Sequence, residues 1–173
     1  MKTICLYFEI HQIIHLKRYR FFDIGIDHYY YDDYENERSI TDIAERSYMP
    51  ALETLLGMIK QGNGYFKVAF SISGVGMEQL EMHAPQVIAK LQEINETGCA
   101  EFLAEPYSHG LSSLANEESF AADVKKQADK MQDYFGKRPT ILRNSSLIYS
   151  DDIGGQVAAM GFKGMLTEGA KHV

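Results

Sequence analysis

Short apolar runs alternate with longer amphipathic stretches along this chain. The apolar runs are typical of buried strands, which we predict at residues 3–10, 66–71, 100–104, 139–142 and 164–166. Apolar residues at helical spacing predict helices over residues 41–60, 74–97, 117–135 and 151–160. Strands that alternate with helices in this way predict an α/β fold, in which parallel strands are joined by right-handed crossovers.

Capping residues support the helix boundaries. Ser150 stands at an N-cap position before two acidic residues, and Pro85 fits the first turn of a second helical segment within 74–97. Gly98 and Gly161 are placed to end the helices that precede them.

The strand count bears on how the sheet closes. Residues 1–173 supply five strands and four complete βα units, which we interpret as a single domain. A closed barrel of such units needs about 250 residues, so the sheet is either open or the N-terminal portion of a longer barrel. We favour the longer barrel, because residues 167–173 contain no closing helix. An unclosed sheet leaves a bare strand edge, so a homo-oligomer formed through that edge is one expectation.

Charge and composition exclude several classes of partner. The net charge is −7 and no basic patch stands out, so we expect neither a nucleic acid nor a membrane as partner. The first apolar run is short and contains Glu9, which argues against a signal peptide. We therefore expect a cytoplasmic protein, with Cys5 and Cys99 as buried free thiols.

A long irregular segment follows the first strand. Residues 17–39 contain seven aromatic residues set among four aspartates, and loops of this length are usually functional. Tyrosine rings stack on the apolar faces of sugars while carboxylates bind sugar hydroxyls. The alternative, which we weigh equally, is that the rings anchor the loop onto the sheet.

The ends of three strands carry the polar residues that are candidates for chemistry. The fourth strand is followed by Arg143, Asn144, Ser145 and Ser146, at the edge where parallel sheets place their sites, and this group has no carboxylate. The first strand leads to Glu9, His11 and His15, whose histidine spacing suits a helix better than a strand.

The third strand carries Glu101 and leads to Glu105 and His109. An acidic side chain inside an apolar strand is costly to bury without an ion-pair partner or a functional role. Glu101 is therefore predicted either to pair with Arg143 or to bind substrate. Glu105 and His109 stand at the strand exit, where a function is expected. His109 has the chemistry to bind sugar hydroxyls, to donate a proton or to ligate a metal.

Four separated segments give the chain a resemblance to glycoside hydrolase family 57, and within it to the α-amylase-like members. They are HQI at 11–13, GCAEFLAEPYSHGL at 98–111, RNSSLIYSDDIG at 143–154 and GFKGMLTEGAKHV at 161–173. The resemblance implies part of an incomplete seven-stranded (β/α) barrel that acts on α-glucans such as starch, glycogen or maltooligosaccharides. It implies no metal and no cofactor.

The resemblance also implies a retaining mechanism, with a glutamate nucleophile after strand 4 and an aspartate acid after strand 7. Relatives read Arg-Asn-Thr-Glu where this chain has residues 143–146, so Ser146 stands at the position of the catalytic nucleophile. A neutral serine hydroxyl without a base cannot replace a carboxylate there. The acid would lie beyond residue 173 or be absent. We therefore expect a chain that binds α-glucan but is catalytically impaired.

The expected roles of the other residues are carried over by position. His11 and Gln12 match the family's His-Gln-Pro motif, with Ile13 in place of proline, and Glu101 matches the glutamate of the second motif. The full set of expected substrate-binding residues is His11, Gln12, Glu101, Glu105, His109, Arg143 and Asn144. The competing hypothesis is a metal-dependent carbohydrate hydrolase or deacetylase. In it, His11, Glu105 and His109 would be metal ligands and Ser146 would have no role.

Overall fold

The computed structural model describes residues 4–169 and contains the five predicted strands, all parallel. They are β1 (Tyr7–Ile10), β2 (Val68–Ile72), β3 (Ala100–Leu103), β4 (Ile141–Arg143) and β5 (Gly164–Leu166). The first three form one sheet and the last two another, and a bridge between Ala104 and Leu142 joins the two sheets. The strands therefore follow one another in chain order, as the alternation of strands and helices predicts. The predicted first position of strand 1, residue 3, lies outside the described residues.

The helices connect these strands. They are α1 (Asp33–Ile43), α2 (Met49–Gln61), α3 (Gly74–His83), α4 (Pro85–Glu96), α5 (Ser112–Ala115), α6 (Glu117–Phe135) and α7 (Asp151–Ala159). A π-helical turn, Ala44–Tyr48, makes α1 and α2 continuous. Among the helices described between residues 4 and 169, none has the length and apolar character needed to cross a membrane.

One predicted helix start was wrong. The helix expected to begin at residue 41 begins at Asp33, because the side chain of Asp32 caps it by accepting a hydrogen bond from the backbone N–H of Glu35 at 3.0 Å. The helical stretch predicted over 74–97 consists of two segments, and the second begins at Pro85 as predicted, because Pro85 has no N–H to continue the preceding helix and fits a first turn. Ser150 caps α7 as predicted, with its hydroxyl accepting from Ile153 N–H at 3.2 Å.

The hydrophobic core lies between the strands and the helices. Residues such as Phe70, Ile72 and Phe102 face outward from β2 and β3 and pack under α2, α3 and α4. Leu142 of β4 packs with α6 and α7 in a second cluster. Burial of these side chains removes their apolar surface from water, which stabilises the fold.

The opposite, inner face of the sheet is polar near the carboxyl ends of its strands. Neighbouring residues in a parallel register point to the same face, and Glu9 pairs in register with Ser71. Residues at alternate positions of β1 to β4 share this face, among them Tyr7, Glu9, Ser71, Glu101, Glu105 and Arg143. The sheet thus separates an apolar helix-facing side from a polar inner side.

The amino end of β1 is more exposed than the sequence indicated. The nearly continuous apolar run predicted a strand buried on both faces, but Ile4 is 85% exposed and Leu6 is 37% exposed. The prediction of two buried thiols was wrong for Cys5, which is exposed; Cys99 is buried, and both are free. An apolar strand is buried only where helices or other strands cover it, and here β1 is an outer strand of its sheet. Pairing of two copies through such an edge stays a prediction.

Candidate functional site

A group of charged and imidazole side chains lies at the carboxyl ends of β1, β3 and β4. Arg143 is at its centre and is 4% exposed. Its Nη2 donates to Glu9 Oε2 at 2.8 Å, and its Nη1 lies 3.3 Å from His109 Nδ1 and 3.8 Å from Glu105 Oε2. With His11, these residues are called the rim cluster below. Of the residues predicted at strand exits, His11, Glu105, His109 and Arg143 thus lie close together.

Glu105 is the most buried member of the rim cluster, with 0% exposure. Its Oε2 accepts a hydrogen bond from Ser71 Oγ. Its backbone N–H donates to Gln127 Oε1 at 3.2 Å. A buried carboxylate is costly to desolvate unless a cation and hydrogen bonds accompany it, and Arg143 supplies the cation. Glu105 Oε1 remains without a hydrogen-bond partner, with His109 Nδ1 at 3.7 Å.

His11 is a partly buried member of the rim cluster. Its Nδ1 is 2.7 Å from Ser73 Oγ, and its ring stacks on that of His109 with centroids 4.2 Å apart. Ser73 Oγ already accepts from Gly76 N–H at 2.9 Å, so its own proton is free to be donated to His11. Burial, followed by the charge of His109, lowers the pKa of His11 below its ordinary value.

The backbone is strained at this edge of the sheet. His109 and Ser146 each have φ of 54°, and Leu147 has φ of 57°. The left-handed region costs a residue with a side chain about 1–2 kcal/mol. In the described part of the chain, the other such non-glycine residue is Asn63, a residue type that tolerates this region. Strain of this kind concentrates at functional sites, where the surrounding structure holds it in place.

Ser146 lies in the 3-10 turn Ser145–Leu147 that follows β4, and it is exposed. The turn is held by the fully buried Asn144, whose Nδ2 donates to Ser113 Oγ and to Ile148 O, both at 3.0 Å. Its Oδ1 accepts from Ser145 N–H at 2.9 Å. All of these bonds are internal, so Asn144 shapes the turn that presents Ser146.

Glu101 does not join the rim cluster. It is exposed and lies with Cys5, Tyr65 and Pro139 around a cavity of about 920 Å³ at the amino ends of the strands. Four residues of strand separate it from Glu105, which is about 13 Å along the strand. The predicted ion pair between Glu101 and Arg143 is wrong, because Arg143 is paired with Glu9 and Glu105 instead.

Gln12 was expected at the site, and its Nε2 donates to Tyr48 Oη at 3.2 Å. Sequence reasoning missed two residues that support the cluster. Ser71 and Gln127 were not singled out, yet both bond Glu105. The alternation within the second strand, where a serine follows Phe70, could have flagged Ser71 as inward-facing. Gln127 lies within an amphipathic helix, and no local pattern distinguishes it from a solvated residue.

A metal site at this edge would use a different set of residues from the one predicted. Ligand atoms of Glu9, Glu105 and His109 lie within 4.8 Å of one another, whereas His11 is hydrogen-bonded to Ser73. The guanidinium of Arg143 sits among these three side chains. A second unit charge of the same sign 4 Å away costs about 4 kcal/mol at the effective dielectric constant of a protein. The donor set therefore fits a metal poorly while Arg143 is in place.

Comparison with known proteins gives one family match over nearly the whole chain. The model of "Glycosyl hydrolase family 57" matches residues 5–173. A protein named "Putative alpha-amylase" from Methanocaldococcus jannaschii is 32% identical over 145 residues, which cover 83% of this chain and 31% of that protein. The chain thus spans about a third of the length of this curated relative.

Solved structures resemble the fold at low sequence identity. The 4-alpha-glucanotransferase from Thermococcus litoralis matches with a TM-score of 0.70 and 14% identity, over 93% of this chain and 21% of that chain. The chitin deacetylase from Colletotrichum lindemuthianum matches with a TM-score of 0.53 and 16% identity, over 66% of this chain and 48% of that chain. The first match covers the described strands and helices almost completely, in keeping with the barrel fold that the βα pattern predicts.

Proposed function

Because the chain belongs to glycosyl hydrolase family 57, we propose that it forms part of a barrel that binds α-glucans at the rim cluster. We propose further that Ser146 leaves this chain without the nucleophile of a retaining mechanism. The observation that carries the proposal is that charged and imidazole groups from three strands converge at one edge of the sheet. Arg143 of this group precedes Ser146 by three residues. The names of the α-amylase-type and glucanotransferase relatives support an α-glucan as the ligand.

The rim cluster has the chemistry of a sugar site. Glu9, His11 and His109 are partly exposed, and their oxygens and ring nitrogens hydrogen-bond hydroxyl groups. Arg143 and Glu105 are buried beneath them and fix their orientation, as supporting residues do in a preorganised site. Under this proposal, substrate contacts come from Glu9, His11, Gln12 and His109, with Arg143, Glu105 and Asn144 acting from below.

The proposed loss of hydrolysis rests on the chemistry of the serine. A retaining glycosidase needs a carboxylate that attacks the sugar, with a second carboxyl about 5–5.5 Å away to protonate the leaving oxygen. Ser146 is exposed, and within residues 4–169 no side-chain hydrogen bond joins it to a base that would activate it. Removing a nucleophile costs on the order of 10⁶ in rate in a hydrolase of another class.

The binding proposal is tested by titrating the protein with maltoheptaose in a calorimeter while an assay follows new reducing ends. We expect saturable binding without release of reducing ends. A His109→Ala variant should bind more weakly, because it removes a partly exposed ring of the rim cluster. The absence of binding to any maltooligosaccharide would overturn the proposal.

The role of Ser146 is tested in the whole protein with Ser146→Glu and its neutral control Ser146→Gln. We expect hydrolysis of maltooligosaccharides to rise with glutamate and to stay unchanged with glutamine, since the two side chains differ only in the carboxylate. Equal activity of the two variants, with both folded as judged by circular dichroism, would refute the assignment of Ser146 to the nucleophile position.

A metal-dependent deacetylase is the second candidate, favoured by the spacing of Glu9, Glu105 and His109. The position of Arg143 weighs against it. The test is to add Zn²⁺ or Mn²⁺ to the protein and to an Arg143→Met variant. Tight, stoichiometric binding by the unmodified protein would support the deacetylase, and binding by the variant alone would show that Arg143 blocks the metal.

A further inference from the structure

A hairpin-like loop projects from the carboxyl edge of the sheet between β1 and α1. An antiparallel bridge joins Leu16 to Tyr31 at its base. Lys17 N–H donates to Tyr30 O at 3.0 Å, and Asp32 N–H donates to His15 O at 2.9 Å. Residues 15–34 are called the tyrosine loop below.

Some side chains of the tyrosine loop serve only to hold it together. Lys17 Nζ pairs with Asp27 Oδ2 at 2.5 Å, and Tyr19 stacks on Tyr30 with centroids 4.9 Å apart. Tyr19 Oη also donates to the carbonyl of Asp27 at 2.5 Å. These contacts join residues of the loop to one another, so they do not show the anchoring onto the sheet that was considered for the aromatic segment.

Other tyrosines of the loop are more exposed, although Lys17 Nζ lies 5.5 Å from the centre of the Tyr29 ring. Tyr29 is 52% exposed, Tyr31 is 47% exposed and Tyr34 is 73% exposed. The rings of Tyr29 and Tyr31 are 5.7 Å apart and nearly perpendicular, at 79°. Tyr29 Oη donates to Asp33 Oδ1 at 2.5 Å, which fixes one carboxylate among the rings. Aromatic rings with this much solvent-exposed surface mark a binding site more often than a random patch of protein surface does.

We propose that Tyr29, Tyr31 and Tyr34, together with Asp33, form a second α-glucan contact beside the rim cluster. This inference rests on the proposed function and adds a site to it. A phenol ring offers a flat apolar face to the C–H groups of glucose while its hydroxyl stays solvated. The second oxygen of Asp33 is free of the bond to Tyr29 and can accept from a sugar hydroxyl.

The position of the loop base favours a glucan that also occupies the rim cluster. The exposed tyrosines follow His15 along the chain. The His15 carbonyl accepts a hydrogen bond from Asp32 N–H, and His15 N–H donates to Asn36 Oδ1 at 2.6 Å. His15 comes four residues after His11 of the rim cluster. A polymer chain lying along this edge would therefore meet both surfaces, and two linked contacts bind a chain more tightly than either alone.

The tip of the same loop has a different chemistry and provides a control. Phe21 and Phe22 are each 80% exposed, with rings perpendicular at 85°, and Ile24 and Ile26 flank them. These four side chains carry no group that bonds a sugar hydroxyl. The tip lies at the far end of the hairpin from the Leu16–Tyr31 bridge, so we place it outside the glucan contact.

Chemical modification tests the contact directly. Tetranitromethane nitrates exposed tyrosines, and mass spectrometry locates the nitrated residues. We expect maltoheptaose to protect Tyr31 and Tyr34. Tyr65 is 94% exposed, lies before β2 at the amino ends of the strands, and should be nitrated equally with and without the sugar. Equal protection of Tyr65, or no protection of Tyr31 and Tyr34 by a sugar that binds, would overturn the inference.

Matched double variants give the second test. Tyr31→Ala with Tyr34→Ala should weaken maltoheptaose binding by about three- to tenfold per ring removed. Phe21→Ala with Phe22→Ala removes as many exposed rings from the loop tip and should leave affinity unchanged. The chain contains 11 tyrosines and no tryptophan, so a change in tyrosine absorbance on titration reports the same contact only if the Tyr31→Ala, Tyr34→Ala variant loses it.

The outcomes separate this inference from the proposed function. One outcome is that the unmodified protein binds maltoheptaose and that His109→Ala weakens this binding, whereas the Tyr31→Ala, Tyr34→Ala double variant does not. In that case the second contact is wrong and the rim cluster remains the proposed site. If the tyrosine pair weakens binding and His109→Ala does not, the tyrosine loop is the glucan site and the rim proposal fails. If maltoheptaose does not bind at all, both fail.

Discussion

Two glutamates at opposite ends of β3 have opposite environments. Glu105 follows the carboxyl end of β3, is fully buried, and lies against Arg143 and Ser71. Glu101 lies near the amino end of the same strand, on the same face, and is exposed beside an open cavity. The sequence selects both acids as candidates, Glu101 because it interrupts an apolar strand and Glu105 because it stands at the exit of that strand.

The difference lies in what covers each end of the sheet. At the carboxyl edge, long loops and the side chains of neighbouring strands exclude water, so a charge there needs a partner and makes a strong interaction with it. At the amino edge, the cavity admits water, which solvates Glu101 without a protein cation. The two ends of β3 therefore place the same charged residue type in different environments, one enclosed by protein and one solvated.

The largest expected effect comes from removing the buried cation. Arg143→Met leaves Glu105 buried without its cation and should lower the free energy of unfolding by about 3 kcal/mol. Glu101→Gln removes an exposed charge and should change it by less than about 0.5 kcal/mol. Urea unfolding of both variants makes the comparison, and equal losses would show that the two ends of β3 do not differ as described.

A smaller effect is expected from packing at the two ends. A Cβ added at Gly74, the first residue of α3, would overlap the ring of the buried Tyr107, so Gly74→Ala should destabilise by about 1–3 kcal/mol. Gly57 lies in α2, which leads toward the amino edge, and has nothing within 4 Å of an added Cβ. Gly57→Ala should therefore stabilise the protein by about 0.5–1 kcal/mol.

These two glycine variants are compared by thermal and urea unfolding under one set of conditions. The opposite signs are the essential result. Destabilisation by both substitutions would mean that the space around Gly57 is filled, contrary to the absence of any atom within 4 Å of a Cβ added there.

The smallest effect is expected from pH. Since the fold lowers the pKa of His11 below its ordinary value of 6.5, the folded protein binds fewer protons at this residue than the unfolded chain. Its contribution to stability is present above about pH 6.5 and is lost as the pH falls through the folded pKa. Unfolding measured between about pH 7 and 5 should show a steeper loss for the unmodified protein than for His11→Asn. Equal slopes would mean that the fold does not lower the pKa of His11.

Much of the fold could be predicted because it depends on local patterns. Apolar runs and helical spacing located all five strands and their parallel order. Ser150 and Pro85 were recognised as helix starts because capping depends on a few adjacent residues. The start of α1 was missed, since Asp32 and Asp33 lie among tyrosines that resemble a loop.

The candidate site was predictable only in part. His11, Glu105, His109 and Arg143 were expected at one edge because parallel strands bring their carboxyl ends together. The roles within that group depend on distances that no local pattern contains. Glu101 was misplaced for this reason, and Gln127 was overlooked because its bond to Glu105 crosses 22 positions of sequence.

By itself, the sequence determined which segments become strands and helices, in which order they pair, and that a serine occupies position 146. These features follow from residues that are near one another along the chain or from the periodic burial of one face. Tertiary structure alone decided that Arg143 pairs with Glu9 and Glu105 and that Glu101 faces water. It also decided that His109, Ser146 and Leu147 adopt left-handed backbone conformations. Each of these depends on which distant side chains exclude water or fill space at a given point, and only the folded chain brings those side chains together.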